Sequence, residues 1–134
     1  MFDALDIPAS ALTAQRIRID TIAGNVANID ATRSANGGKT PYQRRFVILA
    51  AGQAGNTGKP GVHVHSIGMD TSPFRKVYDP GHRDADADGY VQYPNVDLAI
   101  EQVNMIEATR AYEANVTMMD TLKAMINSTL RLIA

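Results

Sequence analysis

Residues 95–134 read NVDLAIEQVNMIEATRAYEANVTMMDTLKAMINSTLRLIA, and the spacing of their apolar side chains decides the fold. An apolar residue recurs every seven positions, and neither Pro nor Gly interrupts the stretch. This spacing predicts one amphipathic helix over 95–134. The register consists of Leu98, Met105, Tyr112, Met119, Ile126 and Ile133, flanked by Val116 and Leu130 on one side and by Met118, Met125 and Leu132 on the other.

The predicted helix is too long to be covered by its own chain. A rise of 1.5 Å per residue makes it about 57 Å long, whereas a compact chain of this size has a radius of gyration of about 14 Å. The helix also ends on Leu130, Leu132 and Ile133 without a Gly or Asn stop signal. We therefore expect its end to find partners on other chains.

A second amphipathic helix is predicted over Ser10–Ile29, with Pro8 marking where it begins. Its apolar residues repeat the seven-residue period at Leu5, Leu12, Ile19 and Val26, with Ile22 and Ile29 three positions after the last two. We call the apolar surface of the two helices the seam. The seam comprises Leu12, Ile19, Ile22, Val26, Leu98, Met105, Tyr112, Val116, Met119, Ile126, Leu130 and Ile133.

Two arrangements of these helices fit a shared heptad period. The helices can pair with each other inside one subunit, or they can pack in a coiled-coil-like manner against other chains. The N-terminal helix, about 30 Å long, covers only about half of the longer stripe. Length therefore favours assembly with further subunits.

The middle of the chain differs from both ends because it is rich in Gly and Pro and keeps no helical period. The sequence therefore predicts an N-terminal helical segment over 1–31, a β-rich insert over 32–94 and a C-terminal helix over 95–134. The fold class is mainly α with a small β insert. Few large apolar residues occur in the insert, so we expect an elongated β element without a globular core of its own.

Four short strands are predicted within the insert, at Tyr42–Leu49, Val62–Ile67, Phe74–Tyr78 and Tyr90–Tyr93. A Gly-rich connection over Gly52–Gly61 joins the first two strands. The run Asp79-Pro80-Gly81-His82 has Pro and Gly where a type II turn needs them.

Composition excludes several classes of protein. The chain has 134 residues, of which 45% are hydrophobic and 20% charged, so it can form a real core and is not disordered. Thirteen basic and fourteen acidic residues give a net charge of −1 with no basic stripe, which argues against nucleic-acid binding. The absence of Cys excludes disulfides and thiolate chemistry. We expect no membrane-spanning segment and no cleaved Sec-type signal in residues 1–13.

The run Asp84-Ala85-Asp86-Ala87-Asp88-Gly89 is similar to the start of a calcium-binding loop. The twelfth position is Asn95, where such a loop has a bidentate Glu, and a turn precedes the run where a helix is needed. A calcium-dependent binding module is therefore the alternative function. The favoured interpretation is a solvated turn in which Asp side chains accept bonds from local N–H groups and Gly89 takes a positive φ.

The sequence also contains candidate residues for a zinc site. His63 and His65 share one face of a predicted strand, and His82 is a conceivable third zinc ligand, but no fourth ligand is visible. An exposed strand face is the favoured interpretation. The sequence contains no recognisable catalytic triad motif, phosphate loop or His-Glu-x-x-His helix, so we expect neither an enzyme nor a cofactor.

Several motifs together carry a family resemblance. They are Asn25-Val26-Ala27-Asn28, the block Val77-Tyr78-Asp79-Pro80-Gly81-His82 continuing through Asp84-Ala85-Asp86-Ala87-Asp88-Gly89-Tyr90-Val91, then Pro94-Asn95-Val96-Asp97, and Arg110-Ala111-Tyr112-Glu113-Ala114-Asn115. In these motifs the chain resembles the axial proteins of the bacterial flagellum, and among these the proximal rod proteins. The first motif is general to rod, hook and hook-associated proteins. The block from Val77 to Asp97 is what makes the narrower resemblance specific.

The resemblance implies a subunit exported through the flagellar type III apparatus without a cleaved signal. It also implies polymerisation with copies of itself and neighbouring rod proteins into a helical tube in the periplasm, which transmits motor torque to the hook. Terminal helices would form an inner coiled-coil layer around the export channel, with the insert outside. No nucleic acid, membrane or cofactor is implied.

Alternatives remain for two of the motifs. Asn25 and Asn28 can cap the first helix or hydrogen-bond a neighbouring helix. The acidic turn can set the angle between the insert and the long helix, or it can contact a neighbouring rod subunit.

Overall fold

The computed structural model describes residues 3–56 and 58–134. Along the sequence, four short strands lie between two long helices. The order is α1 (Asp3–Ala27), β1 (Arg45–Ala51), β2 (Val62–Met69), β3 (Arg75–Tyr78), β4 (Tyr90–Tyr93) and α2 (Leu98–Ile133). The predicted fold class, mainly α with a small β insert, is confirmed. None of the helices among the described residues is both long enough and apolar enough to cross a membrane.

Helix α2 begins at Leu98, three residues later than the sequence analysis placed it. The reason is the N-cap residue Asp97, whose extended backbone precedes the helix and whose Oδ1 accepts hydrogen bonds from the N–H groups of Ala99 (2.9 Å) and Ile100 (3.4 Å). From there the helix runs unbroken to Ile133 and is about 54 Å long.

Helix α1 begins at Asp3, so the prediction of a start at Ser10 was wrong. Pro8 lies inside the helix, where it lacks one backbone donor. Two features offset that loss: Asp3 and Asp6 place negative charge near the N-terminal end of the helix dipole, and the Pro8 ring is fully buried. The helix ends at Ala27, close to the expected boundary.

The two helices run antiparallel. Asn25, near the end of α1, bonds to Glu101 near the start of α2, and Arg18, earlier in α1, pairs with Glu107, later in α2 (3.4 Å). Helix α1 is about 37 Å long, so it covers about two thirds of α2. The last turns of α2 extend beyond it.

Strands β1 and β2 form an antiparallel hairpin that packs against α1, with a register shift between Ile48 and Leu49. Ser10 of α1 ties the two together because its Oγ accepts a hydrogen bond from the Val62 N–H (3.1 Å). Strand β1 starts at Arg45, later than predicted, because the preceding backbone is bonded elsewhere. The Tyr42 N–H donates to the Ala31 carbonyl (3.0 Å) and the Arg44 N–H to Asn95 Oδ1 (2.8 Å).

Strands β3 and β4 form a second, separate antiparallel hairpin, with Tyr78 opposite Tyr90. The turn after β3 is closed by a hydrogen bond from the His82 N–H to the Asp79 carbonyl (3.1 Å). It is not the predicted type II turn, because Gly81 does not have a positive φ. The left-handed residue of this segment is Gly89, at φ 84°.

The hydrophobic core is small. Within the part of the chain that the structure describes, its buried hydrophobic residues are Ala14, Ile22, Val91, Val96 and Ala108, with Pro8 and Pro94 buried as well. Three polar residues are also buried, Asn25 and Glu101 completely and Thr32 to 9% exposure. Polar contacts therefore fix the arrangement of the elements as much as apolar packing does.

Candidate functional site

Asn25 lies at the junction of α1, β1 and α2 and is completely buried. Its Nδ2 donates to the Arg45 carbonyl (2.7 Å) and to Glu101 Oε2 (3.2 Å), while its Oδ1 accepts from the Arg45 N–H (2.9 Å) and the Tyr42 hydroxyl (3.0 Å). One amide thus bonds the first strand, the connection before it and the second helix. Burial raises the pKa of Tyr42, which keeps its hydroxyl protonated as a donor.

Glu101 supplies the buried charge at this junction, and no part of its side chain is exposed. Arg44 neutralises that charge by donating from Nε to Glu101 Oε1. The same guanidinium reaches Asp70 Oδ2 at 3.4 Å. Hydrogen bonds from Ser72, together with the nearby Arg44, lower the pKa of Asp70, so this carboxylate stays ionised opposite Arg44.

Asn95 fixes the other side of the junction. Its Oδ1 accepts from the Arg44 N–H, and its Nδ2 donates to the carbonyls of Asp70 (3.0 Å) and Ser72 (3.1 Å). Two asparagine side chains therefore bond the backbone on either side of Arg44. We use the name junction for Asn25, Tyr42, Arg44, Asp70, Asn95 and Glu101.

Asn25 and Asn28, the two asparagines of the first motif, have different roles, and each role is one of the two alternatives considered above. Asn28 caps its own helix by donating from Nδ2 to the Gly24 carbonyl (2.8 Å), whereas Asn25 bonds the neighbouring helix and strand. The sequence analysis did not identify Tyr42, Arg44, Asp70 or Glu101. The position of Glu101 could have been recognised from the sequence by its spacing. Positions seven apart from it are Ala108, Asn115 and Leu122, and together with Glu101 they form the most covered face of α2.

Asp84 anchors the acidic turn to the connection that follows α1. Its Oδ1 accepts from Arg33 Nε (2.6 Å) and its Oδ2 from the Thr32 hydroxyl (2.8 Å). The hydrogen bond from Arg33 is the main reason that the pKa of Asp84 is lowered to about 2; the Thr32 bond and the positive charge of Arg83 add to it, against desolvation. Asp84 therefore connects the acidic turn to the segment that follows α1 within the same subunit.

Asp86 organises the rest of this turn. Its Oδ1 accepts from the N–H groups of Asp88 (3.0 Å) and Tyr90 (2.8 Å), as expected for a solvated acidic turn, and Gly89 takes the expected positive φ. Asp79 closes the segment from the other side through its N–H, which donates to the Gly89 carbonyl (2.9 Å), and Pro80 packs against Gly89.

Four of the side chains considered as metal ligands make other contacts. Asp84 and Asp86 hold Arg33 and backbone N–H groups, His63 Nδ1 contacts the Gly52 carbonyl (2.8 Å), and His82 Nδ1 accepts from the Asp84 N–H (3.1 Å). Over residues 3–56 and 58–134, no three His, Cys, Asp or Glu side chains come together as a metal site requires.

The seam residues fall into two sets. Helix α1 contributes one buried residue, Ile22, and three half-buried ones, Leu12, Ile19 and Val26. On α2 the half-buried seam residues are Met105, Tyr112, Met119 and Ile126. The exposed seam residues are Leu98, Val116, Leu130 and Ile133.

Ten large apolar residues of α2 are exposed, at several positions around the helix, and we call them together the open face. Its residues are exposed by between 38% (Val116) and 87% (Leu132). Polar residues of α2 such as Glu107 and Lys123 are exposed as well. The open face comprises Leu98, Ile100, Val103, Ile106, Val116, Met118, Met125, Leu130, Leu132 and Ile133.

The last motif lies at the middle of α2. Arg110 is exposed, Tyr112 is half-buried, and Asn115 donates from Nδ2 to the Ala111 carbonyl of the preceding turn (2.7 Å). These residues belong to the helix and do not contribute to the junction.

The sequence of this chain is similar to that of known proteins. Residues 5–33 match the family model described as "Flagella basal body rod protein", and residues 87–132 match "Flagellar basal body rod FlgEFG protein C-terminal". The chain is 44% identical to the flagellar basal-body rod protein FlgC of Bacillus subtilis (strain 168), in an alignment that covers 98% of this chain and 97% of the relative. The chain belongs to the FlgC family of flagellar basal-body rod proteins.

Other FlgC proteins align over a similar extent. Identity is 39% to FlgC of Borreliella burgdorferi, over 99% of this chain and 97% of the relative, and 42% to FlgC of Yersinia enterocolitica, over 98% and 97%. The resemblance to proximal rod proteins is thereby confirmed. This FlgC-family chain is a structural subunit of the flagellar basal-body rod and not an enzyme.

Proposed function

We propose that this chain polymerises through its terminal helices, with copies of itself and neighbouring rod proteins, into a helical tube that transmits torque from the motor to the hook. In this proposal the segments 1–31 and 95–134 form the inner layer around the export channel. The insert, 32–94, lies outside them. The subunit reaches the periplasm through the flagellar type III export apparatus.

The open face of α2 is the observation that carries the proposal. Helix α1 leaves many large apolar side chains exposed along α2 and past its own end, more than a monomer in water normally presents. Burying each Leu, Ile or Met side chain against a neighbour contributes about 1.5–3 kcal/mol. Repeated over many subunits, such contacts can resist shear without a covalent link.

The open face, and not the whole seam, is the surface to test. Met119 and Ile126 are half-buried, so charging them also threatens the subunit itself. Met118 and Met125 are 53% and 59% exposed, so an Asp there remains solvated in the monomer. Met118→Asp combined with Met125→Asp is expected to abolish rod assembly and motility, while the subunit still folds and is secreted.

Ala124→Asp is the matched control, because Ala124 is exposed on α2 and none of the residues three or four positions away from it, its neighbours on the helix surface, belongs to the open face. We expect motility with this variant to equal that of wild type. Circular dichroism of the purified proteins and periplasmic subunit levels separate a folding or secretion defect from an assembly defect. Normal flagella on cells that carry the double Met variant would refute the role of the open face.

A further inference from the structure

Methionine supplies all of the sulfur in this chain, which contains six Met and no Cys. Three of the described methionines are more than half exposed: Met69 by 57%, Met118 by 53% and Met125 by 59%. Met105 and Met119 are only half-buried and belong to the more covered set. The structure therefore sorts the thioether groups by their access to solvent, even between the sequence neighbours Met118 and Met119.

Met118 and Met125 lie in one stripe of the open face. They are seven positions apart on α2, about 10 Å along its axis, and Leu132 follows seven positions later. Two of the three residues in this stripe are thus thioethers. The other residues of the open face are Leu, Ile and Val, whose hydrocarbon side chains do not react with peroxides.

A peroxide converts a methionine thioether into a sulfoxide. The sulfur attacks one oxygen of hydrogen peroxide, so that an S–O bond forms while the O–O bond breaks. The sulfur loses two electrons, and the second oxygen accepts them, takes the proton of the transferred oxygen and leaves as water. The product is a polar, chiral side chain, and methionine sulfoxide reductases convert it back to the thioether.

The position of the sulfur decides what this oxidation does. At Met118 and Met125 the sulfoxide stays in water, so the isolated subunit keeps its fold. Packing the same two positions against the apolar surface of a neighbour requires the sulfoxide oxygen to give up its hydration, which is unfavourable without a new hydrogen bond. Oxidation at these two residues therefore acts on assembly and leaves folding intact.

We propose that Met118 and Met125 form a redox-sensitive modification site, oxidised by peroxides before the subunit is incorporated. In this proposal the doubly oxidised subunit is excluded from the growing tube, and enzymatic reduction of the sulfoxides restores it. The inference rests on the proposed assembly through the open face. It adds a chemical condition for that assembly, namely that two particular sulfur atoms are reduced.

Brief treatment of the purified full-length subunit with hydrogen peroxide tests the accessibility of the sulfurs. Tandem mass spectrometry of tryptic peptides locates each sulfoxide and distinguishes Met118 from Met119. We expect Met118, Met125 and Met69 to be oxidised several-fold faster than Met105 and Met119, with an unchanged circular dichroism spectrum. Equal rates at Met118 and Met119, or loss of helix on oxidation, would overturn the inference.

Substitutions test the effect on assembly without any oxidant. Glutamine is a neutral polar mimic of the sulfoxide, and leucine keeps the apolar character of methionine without its reactivity. Met118→Gln combined with Met125→Gln is expected to lose most rod assembly and motility, whereas the corresponding pair of Leu substitutions should swim as wild type does. Met69→Gln is the matched control, because Met69 is equally exposed but lies on β2, and we expect unchanged motility.

The Gln pair and the Asp pair at the same two positions separate this inference from the proposed function. Motile cells with the Gln pair, where the Asp pair blocks motility, would overturn the inference and leave assembly through the open face standing. Motile cells with the Asp pair would refute the proposed function itself.

Hydrogen peroxide provides the last test, in cells that are growing new flagella. A sublethal dose is expected to lower the number of new rods in wild-type cells and in cells carrying Met69→Leu. Cells carrying Met118→Leu with Met125→Leu should keep most of theirs. An equal loss in all three strains would overturn the inference, because the oxidant would then act through other residues.

Discussion

The junction and the far end of α2 reverse the usual distribution of polar and apolar groups. At the junction, Asn25 and Glu101 are completely buried, whereas at the end of α2, Leu132 and Ile133 are 87% and 75% exposed. Hydrogen-bond geometry therefore holds the elements of one subunit together. Apolar area at the end of α2 stays exposed to solvent, as the proposed assembly of subunits requires.

The comparison implies that different residues control folding and assembly. The subunit's own apolar core is small, and net stabilities of domains are only about 5–15 kcal/mol, so the loss of one buried polar partner is a large fraction of the total. Removing an exposed apolar side chain from α2 costs the isolated subunit almost nothing. Four experiments test this division.

Glu101→Ala is expected to have the largest effect on the subunit. It leaves the largely buried Arg44 with only Asp70 as a carboxylate partner and removes one acceptor from Asn25. Breaking a buried ion pair costs about 3–5 kcal/mol, and the remaining Asp70 favours the lower figure. The free energy of unfolding, measured by urea denaturation, should fall by that amount. Glu107→Ala is the control, because the Glu107 side chain is 65% exposed, and we expect a loss below about 1 kcal/mol. Equal losses would remove the distinction between the junction and the surface.

Asn25→Ala is the next most damaging change. It leaves the N–H and carbonyl of Arg45 and the Tyr42 hydroxyl without their partner, and an unsatisfied buried polar group costs about 1–3 kcal/mol. Asn28→Ala removes a single helix-capping bond and should cost about 1 kcal/mol. Amide exchange in β1 should speed up in the Asn25 variant only. A larger loss for the Asn28 variant would show that the motif acts through capping.

Asp84 gives a smaller, pH-dependent contribution. Its folded pKa of about 2 lies below its ordinary value of 3.8, so its ion pair stabilises the subunit above about pH 4. That contribution is lost as the pH falls from about 4 through 2, because the carboxylate then takes up a proton. The difference in unfolding free energy between wild type and Asp84→Asn should shrink over that window. Arg33→Gln should remove most of the same pH dependence, and a difference that stays constant would contradict this account.

Leu132→Ala is expected to have the smallest effect. Because Leu132 is almost fully exposed, the unfolding free energy of the isolated subunit should change by less than about 0.5 kcal/mol. Ile22→Ala, at a buried position, should cost about 2–5 kcal/mol. Thermal or urea unfolding of the monomer measures both. A large loss for Leu132→Ala would mean that this end of α2 is covered within its own chain.

Local patterns predicted much of the fold. The heptad period located both helices, and β-branched and aromatic residues placed four strands, of which Tyr90–Tyr93 has the expected bounds. The errors lie at boundaries. Asp97 caps α2 after Asn95, and Pro8 does not begin α1, because acidic residues ahead of it and burial of its ring sustain the helix there.

The junction could not be predicted from spacing because its partners are far apart in the sequence. Asn25 and Glu101 are separated by 76 positions, and Arg44 and Asn95 by 51. Periodicity reports which face of one element is covered, but it does not identify the group on the other element. The heptad period also placed Leu98 and Met105 in one stripe, although α1 half-buries only Met105.

The side-chain amide of Asn25 also blocks one residue at the edge of the β1–β2 hairpin. The N–H and the carbonyl of Arg45, the first residue of β1, point away from β2. The Asn25 side chain hydrogen-bonds both groups, as a neighbouring strand would. An unblocked strand margin is a template for unwanted β pairing between chains. Helix α1 thus occupies the margin of β1 at this residue, where a strand of another chain could otherwise pair.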